Sequence, residues 1–327
     1  MYTKYYGLDR KPFDLTPDPR VVFMSEIHQE ALAILRYGVI SRKGFLLLTG
    51  DVGTGKTTLL QLLVKSIEAT IHICLIVNPS LSADDFYYFL SSSYGLPKYD
   101  GNRAKFFLNF AEFLRQCQKK NERVLLIVDE AHVVSVDLLE EIRLLSNQDG
   151  EEIGVMSIFL VGQPELNDRL AHERLLPLRQ RIAIRFHLQP FSNQETRNYI
   201  LFRLRKAGAR RLDLFSAEAV DLIHLESGGT PRLINILCDH ALLSGFAESK
   251  PRITVDIARD CVEEFHIPGE KRLALPEHKK KKGKGLIWFF VLLFLAVTIL
   301  AGWFIYQQDG SWLTETVNQR TEEGIHK

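Results

Sequence analysis

The sequence predicts an α/β protein: a parallel β-sheet covered by helices on both faces, then a small helical domain, then one C-terminal transmembrane helix. Three observations predict it. Five short apolar runs alternate with helix-length amphipathic segments between residues 44 and 188. Strand-like runs vanish between Ser192 and His266, where apolar residues recur at three and four. Residues 286–306 then form an apolar stretch with no charged side chain.

Composition bounds what such a chain can be. With 327 residues, 46% of them hydrophobic, it can bury a full core and divide into two globular units plus appendages. Basic and acidic side chains nearly balance, 41 against 40, so there is no overall nucleic-acid footprint, although lysines crowd residues 279–284. Cys74, Cys117, Cys238 and Cys261 are scattered without metal-ligand spacing and read as buried, reduced thiols. The opening MYTKYYGLDRKPF lacks an apolar core of the kind a secretory signal needs, which places the chain ahead of residue 270 in the cytoplasm.

The five runs are FLLLTG, IHICLIVN, VLLIVDE, VMSIFLVG and IAIRFHL. Near-continuous apolar strands separated by helices are what a parallel sheet buried on both faces requires, because each crossover helix covers one face. Residues 1–190 are expected to form this nucleotide-binding α/β domain. Residues 191–266 are expected to form a helical lid.

From the last residue of the first run onward, Gly50, Asp51, Val52, Gly53, Thr54, Gly55, Lys56, Thr57 and Thr58 fit the phosphate-loop pattern, between a strand and a helix as that motif demands. Glycines let backbone N–H groups converge on phosphate oxygens, and the helix N-terminus adds its partial positive charge. Lys56 is expected to reach the β and γ phosphates of ATP, and Thr57 to ligate Mg2+. The competing reading is an ordinary strand-to-helix turn.

The third run ends in Asp129 and Glu130. A buried strand ejects such a pair at the carboxyl edge of the sheet, where the phosphate loop also emerges. Asp129 is expected to hold Mg2+, and Glu130 to polarise the water that attacks the γ-phosphate. Against this stands a solvated strand end. His132, two residues on, reads as a surface or helix-capping histidine.

Five further polar positions are candidates. Gln163 ends the fourth strand, where it could hydrogen-bond the γ-phosphate or its water. Arg179 and Arg181 precede the fifth strand, and their guanidinium groups could stabilise transition-state charge in a neighbouring subunit; the plain alternative is a surface ion pair. Arg232 follows Pro231 in the first turn of a lid helix and could lean back over the nucleotide. Asn78, at the end of the second strand, could hold Glu130 off until a ligand arrives.

Together these residues resemble an AAA+ ATPase. The opening segment YYGLDRKPFDLTPDPRVVFMSEIHQEAL resembles that of the ExeA/GspA family of secretion-pathway A proteins, which includes ATPases of the type that assemble type IV pili. The likeness spans roughly residues 1–266. It implies the same roles for the loop glycines, Asp129, Glu130 and Arg232, a ring-forming homo-oligomer, and an N-terminal segment packed near the adenine. Secretion-pathway members continue into a periplasmic peptidoglycan-binding domain; here about twenty residues follow the apolar stretch, so cell-wall binding is not expected.

The C-terminal part sets the location. Residues 267–285 read as a basic linker. Residues 286–306, at about 1.5 Å per residue, are long enough to cross a ~30 Å hydrocarbon core. Trp288, Trp303 and Tyr306 sit towards its ends, and the lysines on one side belong inside, leaving 307–327 as a short periplasmic tail. The expected protein is a single-pass inner-membrane ATPase with a cytoplasmic motor. It would assemble or localise an envelope machine such as a type II secretion system or a pilus, with that machine's proteins as partners and no direct nucleic-acid contact. A DNA-associated transposition-helper ATPase, or a nucleotide-gated scaffold with incidental turnover, are the alternatives.

Overall fold

Each of the five apolar runs forms a strand: β1 (Phe45–Gly50), β2 (Ile71–Ile76), β3 (Arg123–Val128), β4 (Met156–Gly162) and β5 (Ile182–Leu188). The structure, a computed structural model, describes residues 1–15, 22–41, 44–77 and 79–265. All strand pairs are parallel, in the order β2-β3-β4-β1-β5. β4 therefore lies between β1 and β3, with Thr49 level with Gly162 and Val128 level with Leu160. The segments leaving β1, β3 and β4 consequently emerge side by side at one edge.

Helices α1 (Tyr2–Tyr5) and α2 (Glu26–Ile40) precede the sheet. The crossovers carry α3 (Lys56–Ser66), α4 (Ala83–Ser93), α5 (Arg103–Lys119), α6 (Val136–Ile153), α7 (Glu165–Leu170) and α8 (Leu176–Arg181). Alternation along the strands assigns the faces. Leu46, Leu48, Leu125, Ile127, Phe159 and Val161 pack with α2 and α3. Phe45, Leu47, Leu126, Val128, Ile158 and Leu160 pack with α4 to α8. Both faces are thus covered, which is why β3 and β4 read as near-continuous apolar runs. Burying one such side chain contributes about 1.5–3 kcal/mol.

After the sheet come α9 (Asn193–Lys206), α10 (Ala217–Ser227), α11 (Pro231–Ala247) and α12 (Val255–Phe265). Ser192 starts α9 with a reciprocal cap: its hydroxyl receives the Glu195 N–H while the Glu195 carboxylate receives the Ser192 N–H. Pro231 opens α11, where its missing N–H leaves no helical bond unmade.

The N-terminal segment departs from its expected place in the α/β domain. Tyr2, Tyr6, Leu8 and Phe13 are buried in the helical cluster with α9 to α12. Polar contacts fasten them: the Tyr2 hydroxyl donates to Asp239, Asp9 N–H to the Ala207 carbonyl at 2.8 Å, and the Arg203 guanidinium to the carbonyls of Pro12 (2.5 Å) and Asp14 (2.8 Å). The physical reason is that the short helices of the lid leave an apolar surface that the aromatic opening covers.

Among the described residues no helix is long and apolar enough to cross a membrane. The linker 267–285, the apolar stretch 286–306 and the tail 307–327 lie outside the described residues, as does Asn78.

Candidate active site

β1 delivers the loop that forms the floor of a cleft of about 470 Å³. Val52, Gly53, Thr54, Gly55, Lys56, Thr57 and Thr58 all line it. The loop can turn this tightly because Gly53 (φ 79°) and Gly55 (φ 105°) occupy left-handed backbone space. Gly50 and Asp51 contribute their carbonyls instead, accepting from Lys56 Nζ at 2.7 and 2.9 Å. Lys56 is only 5% exposed, and burial pulls its pKa below the ordinary value, against Glu130 and Asp129, which raise it.

β3 delivers the carboxylates. Asp129 is buried, with Oδ2 accepting from the Thr57 hydroxyl at 2.8 Å and Oδ1 accepting from the Glu130 N–H at 2.9 Å. Burial raises its pKa; the bonds from Thr57 and Glu130 pull the other way. Glu130 lines the cleft, its side chain 41% exposed, so one carboxylate is enclosed and its neighbour is free to meet solvent. A hydroxyl beside a buried carboxylate is a pair of hard oxygen donors, the type Mg2+ selects. The same enclosed charge is what a divalent cation would neutralise. Thr57 and Asp129 therefore fit the metal as the residues that would hold it.

β4 delivers Gln163 to the cleft, and the lid delivers Arg232. Arg232 is seated directly on the loop: a β-carbon on Gly53 would lie 2.6 Å from Arg232 Cβ. Arg179 and Arg181 are not among the described residues lining the cleft. Arg181 donates to Ser146 Oγ at 2.6 Å, and the Arg179 carbonyl accepts from Arg185 at 3.2 Å. Both sit on α8.

Several lining residues escaped sequence reasoning. His28, on α2, bonds the Thr54 carbonyl through Nε2 at 3.0 Å and Ser25 Oγ through Nδ1 at 2.8 Å. A carbonyl only accepts, so the proton sits on Nε2 and Nδ1 accepts from the serine. Burial pulls the His28 pKa below its ordinary value, in keeping with a neutral ring. The spacing of Ser25 and His28, cap and third residue of a helix, was the only trace of this contact in the sequence. Leu15, Phe23, Met24, Phe191 and Tyr199 add an apolar, aromatic wall, with Asn235 and Arg203 as its polar groups. This wall suits a flat heterocycle, and Leu15, Phe23 and Met24 bring the N-terminal segment to it.

A phosphate loop, an acidic pair beyond the third strand and a helical lid over the cleft define a nucleotide-binding domain of the AAA class, and the AAA domain family matches residues 39–170. The General secretion pathway protein A of Aeromonas hydrophila is 36% identical over 314 residues, covering 95% of this chain and 55% of that protein. The chain is thus related to the ExeA/GspA-type AAA ATPases, while spanning about half the length of that relative. Solved structures share the fold. The Aeropyrum pernix ORC2 protein, in ADPNP and ADP complexes, has a TM-score of 0.57 at 19% identity, covering 78% of this chain and 72% of its own. Drosophila ORC bound to DNA has a TM-score of 0.59 at 15% identity, covering 78% and 64%.

Proposed function

We propose that the chain binds ATP with Mg2+ in this cleft and hydrolyses it, and that the cycle serves the assembly or localisation of an envelope machine. The observation that carries the chemistry is the convergence of Lys56, Thr57, Asp129 and Glu130 on one cleft. Backbone N–H groups of the loop and the α3 N-terminus hold the phosphates. Lys56 exchanges the carbonyls of Gly50 and Asp51 for phosphate oxygens, which it meets as an ammonium already stripped of water. Held by Thr57 and Asp129, magnesium would supply neutralising charge to the leaving ADP. Glu130 takes a proton from the attacking water as the new oxygen–phosphorus bond forms and the β–γ bridge breaks, giving ADP and phosphate. Gln163 hydrogen-bonds the γ-phosphate, and Arg232 adds charge from the lid.

The cellular part of the reading rests on the relation to General secretion pathway protein A and on the C-terminal pattern of seven basic residues between Lys271 and Lys284 ahead of an apolar stretch. In this reading residues 286–306 tether the motor to the inner membrane, with the ATPase in the cytoplasm and 307–327 in the periplasm. Arg179 and Arg181 stabilise charge at the site of the next subunit in a ring. Phosphate release by the purified full chain, with and without Mg2+, tests the chemistry. Membrane fractionation of the full chain against a chain ending at residue 285 tests the tether: the first should sediment with membranes and the second should not.

A further inference from the structure

Glu130 is a non-glycine residue in the left-handed region, φ 52°. The turn it makes brings His132 back over the end of β4, where the ring is 14% exposed. This is not the surface or capping histidine that the sequence suggests. Its Nδ1 lies 3.3 Å from Glu130 Oε2, and its Nε2 lies 2.9 Å from the side-chain amide nitrogen of Gln163. The backbone N–H of Gln163 also points at Nδ1, from 3.4 Å. Gly162 makes room for this placement: a β-carbon there would lie 3.1 Å from His132 N and 3.4 Å from Nδ1.

The donors and acceptors of these three groups permit two arrangements. A carboxylate only accepts, so a bond to Glu130 needs the ring proton on Nδ1. Nε2 is then an acceptor, and the Gln163 amide N–H donates to it. If the amide turns by half a revolution, its oxygen faces the ring instead. The proton then belongs on Nε2, Nδ1 accepts from the Gln163 N–H, and Glu130 is released. Passing from one arrangement to the other, the ring gives its Nδ1 proton to water and takes one from water on Nε2, so the exchange moves no net charge.

We propose that His132 is a positioning residue that ties Glu130 to Gln163, so that the γ-phosphate frees the base that activates the attacking water. The proposal rests on the reading of the cleft as an ATPase site. Gln163 lines that cleft. A terminal phosphate there accepts hydrogen bonds only, and in this proposal it takes the whole amide nitrogen, with both its N–H groups, away from the ring, which turns the amide oxygen towards Nε2. Glu130 is held while the cleft lacks a γ-phosphate and let go when one arrives. ADP, lacking that group, leaves the hold in place.

Nitrogen chemical shifts of the His132 ring in the full chain test this, assigned by comparison with His132→Phe. The ring should be the Nδ1–H tautomer without nucleotide and with ADP. It should be the Nε2–H tautomer with Mg2+ and a non-hydrolysable ATP analogue. One unchanged tautomer in all three states would overturn the proposal. The Glu130 carboxylate supplies the second arm. In wild type its carbon shift should differ between the ADP and analogue states, and in His132→Phe, where the tie is gone in every state, that difference should disappear. A Glu130 carboxylate that responds to the analogue in His132→Phe as it does in wild type would also overturn the proposal. Should His132→Phe not fold, Gln163→Ala alone decides, since it should abolish the dependence of the ring on nucleotide. A wild-type chain that binds the analogue and exchanges tautomer but releases no phosphate would sink the hydrolysis reading and leave the His132 tie standing.

Discussion

Gly53 of the phosphate loop and Arg232 of the lid are in contact, with 2.6 Å between an ideal β-carbon on the glycine and Cβ of the arginine. Loop and lid are therefore shaped to each other by the absence of one side chain. At φ 79° an alanine is also strained. Gly53→Ala is expected to lower stability by about 1–2 kcal/mol and to weaken nucleotide binding by pushing the lid away. Chemical denaturation and nucleotide titration measure both. Arg232→Gly in that background should recover part of the stability, whereas Arg232→Ala, which keeps the colliding β-carbon, should not.

Enclosing the Asp129 carboxylate costs stability. Burial raises its pKa from the ordinary 3.8, so the folded state holds the proton more tightly than the unfolded state does. That contribution is present at low pH and is lost as pH rises through the folded pKa, so at neutral pH the enclosed charge is a cost. The hydrogen bonds of the site survive Asp129→Asn, because the amide oxygen can still accept from Glu130 N–H and the amide N–H can donate to Thr57 Oγ. Asp129→Asn should therefore melt a few degrees higher than wild type without metal, as about 1 kcal/mol gives. It should lose Mg2+-dependent hydrolysis. A lower melting temperature would contradict this view of the site.

His28 should make stability depend on pH. Its pKa is pulled below the ordinary 6.5, so the unfolded chain takes up a proton that the folded ring resists. Stability is then complete above 6.5 and falls as pH drops from there to the folded value. His28→Gln keeps an N–H for the Thr54 carbonyl and removes the titration. Wild type should lose more stability than His28→Gln between about pH 7.5 and about pH 5 in urea titrations. His224, also lowered by burial, contributes equally to both proteins and cancels in the comparison.

What could be read ahead of the structure was local. The five strands and the phosphate loop follow from runs of neighbouring residues, and β3 announces Asp129 and Glu130 by its own apolar length. The contacts of the N-terminal segment with the lid helices were not legible. Nothing in MYTKYYGLDRKPF says that Tyr2 meets Asp239, some 237 residues away. His132 looked like a surface residue because only the left-handed turn at Glu130, which a non-glycine residue rarely adopts, brings it over β4. Arg232 was legible for the opposite reason: proline at the helix start fixed which turn it occupies.

The N-terminal segment is expected to be part of the lid's core. Deleting residues 1–15 uncovers the surface that Tyr2, Tyr6, Leu8 and Phe13 bury, at about 1.5–3 kcal/mol for each large side chain. Melting should fall and ATP affinity with it, because α9 and α11 supply Tyr199, Arg203, Arg232 and Asn235 to the cleft. Unchanged melting would show that the segment merely rests on the lid.

The most direct test of the account is to measure ATP affinity and steady-state phosphate release in one preparation each of wild type, Glu130→Gln and Lys56→Ala. The amide of Glu130→Gln keeps the shape and removes the base, so ATP should bind as in wild type while turnover falls by roughly a hundredfold or more. Lys56→Ala should weaken binding itself, since the ammonium meets phosphate before as well as during reaction. Wild-type turnover in Glu130→Gln would contradict the assignment of the base and with it the central claim.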